Sequence, residues 1–187
     1  MDVDWAAELG DQLDWHWRER LRPRLAGLTD AEYFWEPVPG CWTVRPRLAG
    51  EELGGGRFTV DYAAPAPEPP PVTTIAWRLA HLTVHVLGKH SDTQFGGPPV
   101  QYDTFLYAGD AETALEQIDR AYAAWSAGMR ALGPSELRRP AGPAEGPFAD
   151  RPLAALILHI HREVIHHGAE IALLRDLYRA RRTEREP

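Results

Sequence analysis

The sequence predicts an all-α protein built as a four-helix bundle, and three observations carry that reading. Four segments repeat apolar residues every three or four positions. Each is bounded by residues that cap or break helices. Strand-like alternation is confined to two short stretches inside one proline- and glycine-rich connection. With 187 residues, 44% hydrophobic and 25% charged, the chain has enough apolar material for a core. It shows no internal repeat and no low-complexity linker, so one domain over residues 1–187 is expected.

The first helix is predicted from Asp4 to Leu25, where Trp5, Leu9, Leu13, Trp17 and Leu21 recur every four residues; Pro23 ends or bends it. Thr29 is placed to cap a short turn over residues 30–35. The connection over residues 36–73 holds Pro37, Pro39, Gly40, Gly54-Gly55-Gly56 and Pro69-Pro70-Pro71, which forbid a long helix. Its alternating stretches, residues 42–45 and 57–62, are expected to pair as a small hairpin. A connection this long inside a compact domain is often functional, and this one is expected to fold over one end of the bundle. The second helix starts at Thr73 or Thr74 and runs to Phe95, before Gly96-Gly97-Pro98-Pro99; Ile75, Leu79, Leu82 and Val86 form its stripe. Asp110 caps the third, whose Leu115, Ile118, Tyr122, Trp125, Met129 and Leu132 are spaced as a bundle seam. The fourth begins near Pro152, a good first-turn residue, and runs to about Arg181.

Composition excludes several function classes. No apolar run is long enough to span a bilayer. The start, Met1-Asp2-Val3-Asp4-Trp5, is acidic and lacks the basic region of a signal peptide, so a cytoplasmic protein is expected. Cys41 is the single cysteine, which leaves no intrachain disulfide; in Pro39-Gly40-Cys41-Trp42 it reads as a small packed residue. The net charge is -7, Lys89 is the only lysine and the arginines are scattered, which argues against the clustered cations that bind phosphate backbones. One basic cluster, Arg175, Arg179, Arg181, Arg182 and Arg185, reads as a solvated helix end that complements the helix dipole. Seven tryptophans offer more apolar surface than a small bundle must bury, which points to a homodimer.

The last helix carries the chemistry. Its seam reads Leu153, Leu156, Ile160, Glu163, His167, Ile171, Leu174 and Tyr178. Glu163 and His167 are four apart and stand one turn above each other in the middle of an apolar stripe. A carboxylate buried alone is costly, so Glu163 needs a cation. A divalent metal shared with His167 is one answer; an arginine or a Glu–His hydrogen bond is another. A facing helix completes such sites in bundles, and the second helix offers His81 and His85. His81 lies beside the core stripe, whereas His85 shares its line with Arg78, Lys89 and Asp92, a solvated face. His81, Glu163 and His167 are therefore the candidate ligands for one divalent ion, and two imidazoles with one carboxylate suit zinc, iron(II), nickel or manganese. His161 falls off the seam, His159 and His166 lie on a flanking line, and His16 and His90 read as interfacial and helix-end residues.

The segments Thr74-Ile75-Ala76-Trp77-Arg78-Leu79-Ala80-His81-Leu82 and Arg162-Glu163-Val164-Ile165-His166-His167-Gly168-Ala169-Glu170-Ile171 resemble the DinB-like superfamily. The resemblance extends over nearly the whole chain in helix order and length. It implies a four-helix bundle of up-down-down-up topology with a divalent metal held by one histidine of the second helix and a pair four apart on the last. That pair is commonly His-x-x-x-His followed by Arg-Gly-Gln. Here Glu163 replaces the first histidine and Gly168-Ala169-Glu170 departs from the tripeptide, a ligand set similar to the histidine, glutamate, histidine of mycothiol-dependent maleylpyruvate isomerases. Characterised relatives are transferases or isomerases that use low-molecular-weight thiols such as mycothiol or bacillithiol.

The implied activity is metal-assisted thiol activation, with the thiol and an electrophile as small-molecule partners and His166 or His85 shuttling the proton. A non-catalytic, metal-binding or dimeric stress-associated bundle is the rival class, and hydrolysis by a metal-bound water is a second.

Overall fold

Helix α1 opens on Asp4, whose Oδ1 accepts the backbone N–H groups of Ala6 and Ala7 at 3.1 and 3.2 Å, satisfying donors that a helix start leaves free. In this computed structural model, which describes residues 3–183, α1 covers residues 5–24: α turns over Trp5–Trp15, a wider π stretch over His16–Leu21 and a last turn over Arg22–Arg24. Met1, Asp2 and Arg185, which entered the sequence reading, lie outside the described residues. Leu13, Trp17 and Leu21 are buried, but Trp5 is 62% exposed and Ala6 takes the core position. The reason is geometric. With 3.6 residues per turn, a repeat of four drifts by about 40° each step. Trp5 is thereby rotated about 80° from Leu13, whereas Ala6 is only about 20° away.

Helix α2, Asp30–Tyr33, carries a reciprocal capping box: Thr29 Oγ1 accepts from the Glu32 N–H and Glu32 accepts from the Thr29 N–H. The expected hairpin forms, with β1 (Val44–Pro46) antiparallel to β2 (Phe58–Val60) in the register Val44↔Val60, Arg45↔Thr59, Pro46↔Phe58. It is stitched to the next helix by the Trp42 N–H to the Val72 carbonyl and the Thr74 N–H to the Trp42 carbonyl, both 2.9 Å. The connection thus lies against the start of α3.

Helix α3 covers residues 75–95 as Ile75–His81, a π stretch Leu82–Gly88 and Lys89–Phe95. Thr74 Oγ1 caps its start by accepting from the Trp77 N–H at 3.2 Å, and Gly96 ends it in the left-handed region at φ 67°. Helix α4, Ala111–Arg130, is capped by Asp110. Its Tyr122 stacks on Trp17 of α1 with ring centroids 4.1 Å apart. Helix α5, Leu153–Thr183, is the longest. The four long helices contribute to one apolar core, and the protein is all-α apart from the two-stranded hairpin. No helix among the described residues is long and apolar enough to cross a membrane.

The basic cluster at the end of α5 corrects the sequence reading. Arg175 is 1% exposed. Its Nε and Nη2 each donate to Glu32 at 3.1 Å, and its Nη1 donates to the carbonyls of Arg24 and Ala26. Arg175 therefore ties α5 to the capping box of α2 and to the carbonyl end of α1. Arg179 approaches Glu32 at 3.6 Å and Arg181 lies over the Trp35 ring. The sequence could not show this, because Glu32 is 143 residues away and is presented by a separate element.

Arg175→Ala is expected to destabilise the fold by about 3–5 kcal/mol in urea unfolding at neutral pH, since it strands a buried carboxylate. Burial alone would raise the Glu32 pKa, but its bonds to Arg175 and to the Thr29 backbone bring it below the ordinary carboxylate value. The stability it contributes is therefore complete above the unfolded carboxylate pKa of about 4.3 and lost as pH falls through the lower folded value. Unfolding of the parent and Glu32→Gln proteins should differ at pH 7 and converge in acid.

Candidate metal centre

The middle of α5 places Glu163 and His167 one turn apart, with His167 Nε2 3.2 Å from Glu163 Oε2. His167 is buried and Glu163 half-buried. From α3, His81 meets His167 edge-on, ring centroids 4.9 Å apart at 87°. One ligand atom from each of His81, Glu163 and His167 lies within 4.8 Å of the others. The three residues singled out in the sequence are thus brought together from two helices. Gly168 permits the close approach of α1 behind them: a Cβ there would stand 2.9 Å from Leu21 Cδ2.

Two further residues, not singled out in the sequence, orient this cluster. His167 Nδ1 lies 2.6 Å from Glu170 Oε2 and 3.2 Å from Arg78 Nη1. A ring nitrogen cannot accept from Arg78 while donating to Glu170. The shorter contact decides: Nδ1–H donates to Glu170, and Arg78 pairs with that carboxylate, Nη2 donating to Oε1 at 3.2 Å with Nε 3.0 Å from Oε2. In a neutral ring the lone pair then sits on Nε2, facing the Glu163 carboxylate. Two electron-rich groups at 3.2 Å call for a cation between or beside them, which is the arrangement of a carboxylate-oriented metal-ligating histidine. His81 supplies the third donor. Burial, then the neighbouring His167, His85 and Arg78, push its pKa down to about 3, so its ring is neutral at ordinary pH. The donor set fits a divalent cation. The signal for Glu170 was its position, three residues beyond His167 on the same face.

His85 departs from the solvated position expected of it. It is half-buried, stacks on His81 at 5.2 Å and shares a hydrogen bond with the Tyr102 hydroxyl at Nδ1. His85 is four residues beyond His81, so both stand on one side of α3, and that side meets Tyr102 rather than solvent. Arg78, on the line His85 was grouped with, is turned to Glu170 of α5, so that line is not a solvated face. Burial, then His90 and Lys89, lower its pKa to about 4. Trp42, Trp77, His81 and His85 follow one another with ring centroids 5.9, 5.1 and 5.2 Å apart. This row forms one wall of a cleft of about 560 Å³ between α3 and the connection, completed by Val60, Tyr62, Tyr102 and Tyr107. That is the size and character of small-molecule sites.

The remaining histidines fall elsewhere. His166 is exposed, its Nε2 3.5 Å from Glu170. His159 is exposed and 3.5 Å from Glu163. His161, taken as off the seam, is buried against Trp125, whose Nε1 donates to its Nε2 at 3.3 Å: α5 packs on several sides, so its buried face is wider than one seam. His90 is likewise buried, bonded to the Val86 carbonyl and 3.4 Å from Glu145, because the segment over residues 143–148 covers it.

The sequence profile of the DinB superfamily matches residues 12–171. The chain belongs to the DinB superfamily. No curated protein and no solved structure gives a match. DinB-superfamily proteins are generally metal-associated, and this member carries His/Glu groups able to hold a metal at the site just described.

Burial lowers the His161 pKa to about 4. The folded state binds that proton less readily than the unfolded chain, whose histidine titrates near 6.5. The contribution is thus complete above about 6.5 and lost as pH falls toward about 4. In a metal-free sample the urea midpoint should decline over this window, and His161→Phe should make the decline shallower. Proton NMR of the His161 ring should show a neutral imidazole at pH 5.

Proposed function

We propose that this DinB-superfamily member is a divalent-metal-dependent enzyme that uses a low-molecular-weight thiol, mycothiol-like, for S-transfer to or isomerisation of an electrophile. The observation that carries the reading is that His81 belongs both to the His81–Glu163–His167 cluster and to the wall of an aromatic cleft. A metal held there would touch a bound small molecule. The ion is one of zinc, nickel, iron or manganese, all suited to two imidazoles and a carboxylate. When bound it would supply deprotonation of a coordinated thiol at neutral pH.

The protein's own groups do the rest. His81 presents a neutral nitrogen, His167 its Nε2 and Glu163 a carboxylate. Glu170 fixes the tautomer of His167, and Arg78 fixes Glu170. His85, hydrogen-bonded to Tyr102 through Nδ1 and lining the cleft, is placed to exchange a proton with a group bound there. His166, exposed and 3.5 Å from Glu170, is the outer end of the network and passes protons to water. The cleft excludes water from the electrophile, which limits hydrolysis. The same reading includes a homodimer, since Trp5 and Trp15 are large and exposed; sedimentation at micromolar concentration should show it, and a monomer alone would remove it.

A second reading has its own observation. His167 lies between two carboxylates, 3.2 Å from Glu163 and 2.6 Å from Glu170, and a doubly protonated ring would satisfy both in a non-catalytic bundle without metal.

Elemental analysis of the purified protein decides between them: about one divalent ion per chain is expected. His81→Ala, Glu163→Ala and His167→Ala should each empty the site, whereas His161→Ala should not. Glu170→Gln should weaken metal affinity about 10- to 100-fold through the lost orientation of His167. Absence of metal from protein prepared with these ions, with thermal melts unchanged by chelator, would favour the charged triad. Turnover of an electrophile only with added thiol tests the chemistry; turnover without thiol indicates hydrolysis.

A further inference from the structure

The cleft beside His81 has an unusual balance of groups. Its aromatic lining comes from Trp42, Tyr62, Trp77, Tyr102 and Tyr107, and no lysine or arginine lines it. The one formally charged residue on its wall, Asp61, is already committed: Oδ1 accepts from Arg45 Nε at 2.7 Å and Oδ2 from the Thr43 N–H at 2.9 Å. The polar atoms divide the same way. Trp77 Nε1 donates to the Asp61 carbonyl at 2.8 Å, and the Tyr102 hydroxyl is used by His85. Tyr107 differs. It is 5% exposed, and its hydroxyl, shielded from solvent, meets no hydrogen-bond partner among the described residues. Burial, then the charge of Asp103, push its pKa up to about 12, so it remains a neutral O–H. A buried donor left unpaired costs about 1–3 kcal/mol, and the Tyr107 ring lines the cleft, so a molecule entering there can supply the missing acceptor.

We propose that the cleft takes an uncharged, planar aromatic electrophile bearing an acceptor oxygen, with its ring against Trp42 and Trp77 and its oxygen receiving the Tyr107 hydroxyl. The inference rests on the proposed function in taking the cleft as the electrophile's site. It narrows that reading, because away from the His81 end, where the proposed metal would be the one cation, a carboxylate in the cleft would lose its hydration with no cationic side chain to replace it.

Three naphthyl probes of similar size test this by equilibrium dialysis against the protein as purified, read by ring absorbance: 2-acetonaphthone, neutral with an acceptor oxygen; 2-naphthoate, its anionic counterpart; and 2-ethylnaphthalene, which has no acceptor. The dialysis is run on the protein as purified and after chelator treatment, and with no metal bound the ketone should bind roughly 10-fold or more tightly than the carboxylate. Tyr107→Phe should weaken ketone binding about 5- to 10-fold and leave 2-ethylnaphthalene unchanged. Carboxylate binding to the metal-free protein equal to or tighter than the ketone, no binding of the ketone, or a Tyr107→Phe variant that holds the ketone as well as the parent would each overturn the assignment. If that variant melts well below the parent, the ketone-to-carboxylate comparison in the unmodified protein remains decisive. Metal per chain is counted on the same samples. No metal in the protein as purified, with ketone preference intact, defeats the thiol-enzyme reading alone; metal in the protein as purified, with no ketone preference after its removal, defeats the cleft assignment alone.

Discussion

A carboxylate and an imidazole set into the apolar stripe of a core helix are the constraint around which the rest of this protein is arranged. Glu163 and His167 interrupt the buried face of α5, and neither can stay there without compensation. The compensation comes from both directions along the helix and from across the interface. Glu170 takes the Nδ1 proton of His167, Arg78 of α3 balances Glu170, and His81 of α3 closes the cluster. Each bond removes a freedom: the tautomer of His167, the rotamer of Glu170 and the relative height of α3 and α5. The polar network thereby specifies how the two helices meet more sharply than apolar contacts could, since those tolerate sliding.

The connection between α2 and α3 turns this cluster into a site. Backbone bonds of Trp42 and Thr74 fasten the hairpin to the first turn of α3, and Asp61 binds Arg45 and the Thr43 backbone. Trp77 is anchored to the same loop through its indole N–H. The hairpin therefore stands at a fixed distance from the helix, and the space between them is the aromatic cleft. His85, four residues beyond His81 and on the same side of α3, completes its wall.

At the far end of α5, Arg175 performs an analogous task with opposite charge. It collects the Glu32 carboxylate and two carbonyls from the end of α1, so helix termini that would otherwise need water are joined inside the protein. Polar groups thus fasten α5 near both its middle and its end, while apolar packing fills the interval between them.

The sequence by itself determined the elements and the candidate ligands. Thr29, Thr74 and Asp110 as caps and Gly96 as a stop are local signals, acting within one turn of where they stand, and each is found where it was expected; the four-residue apolar spacing of α1 held for Leu13, Trp17 and Leu21 but not for Trp5. The hairpin and the trio His81, Glu163 and His167 were legible for the same reason, because a polar residue on an otherwise apolar stripe is visible in one dimension. Tertiary structure alone decided what depended on distant partners. Arg175 looked like a solvated helix-end cation until Glu32 was brought to it from another element. His85 was assigned to a solvated face because its line holds Arg78, Lys89 and Asp92, whereas Arg78 is turned to Glu170 and Tyr102 covers His85. Glu170, Arg78 and Tyr107 gained their meaning from neighbours that no spacing rule could supply: charge balance and hydrogen-bond satisfaction are properties of the assembled interior, and periodicity records only which face of a helix is buried.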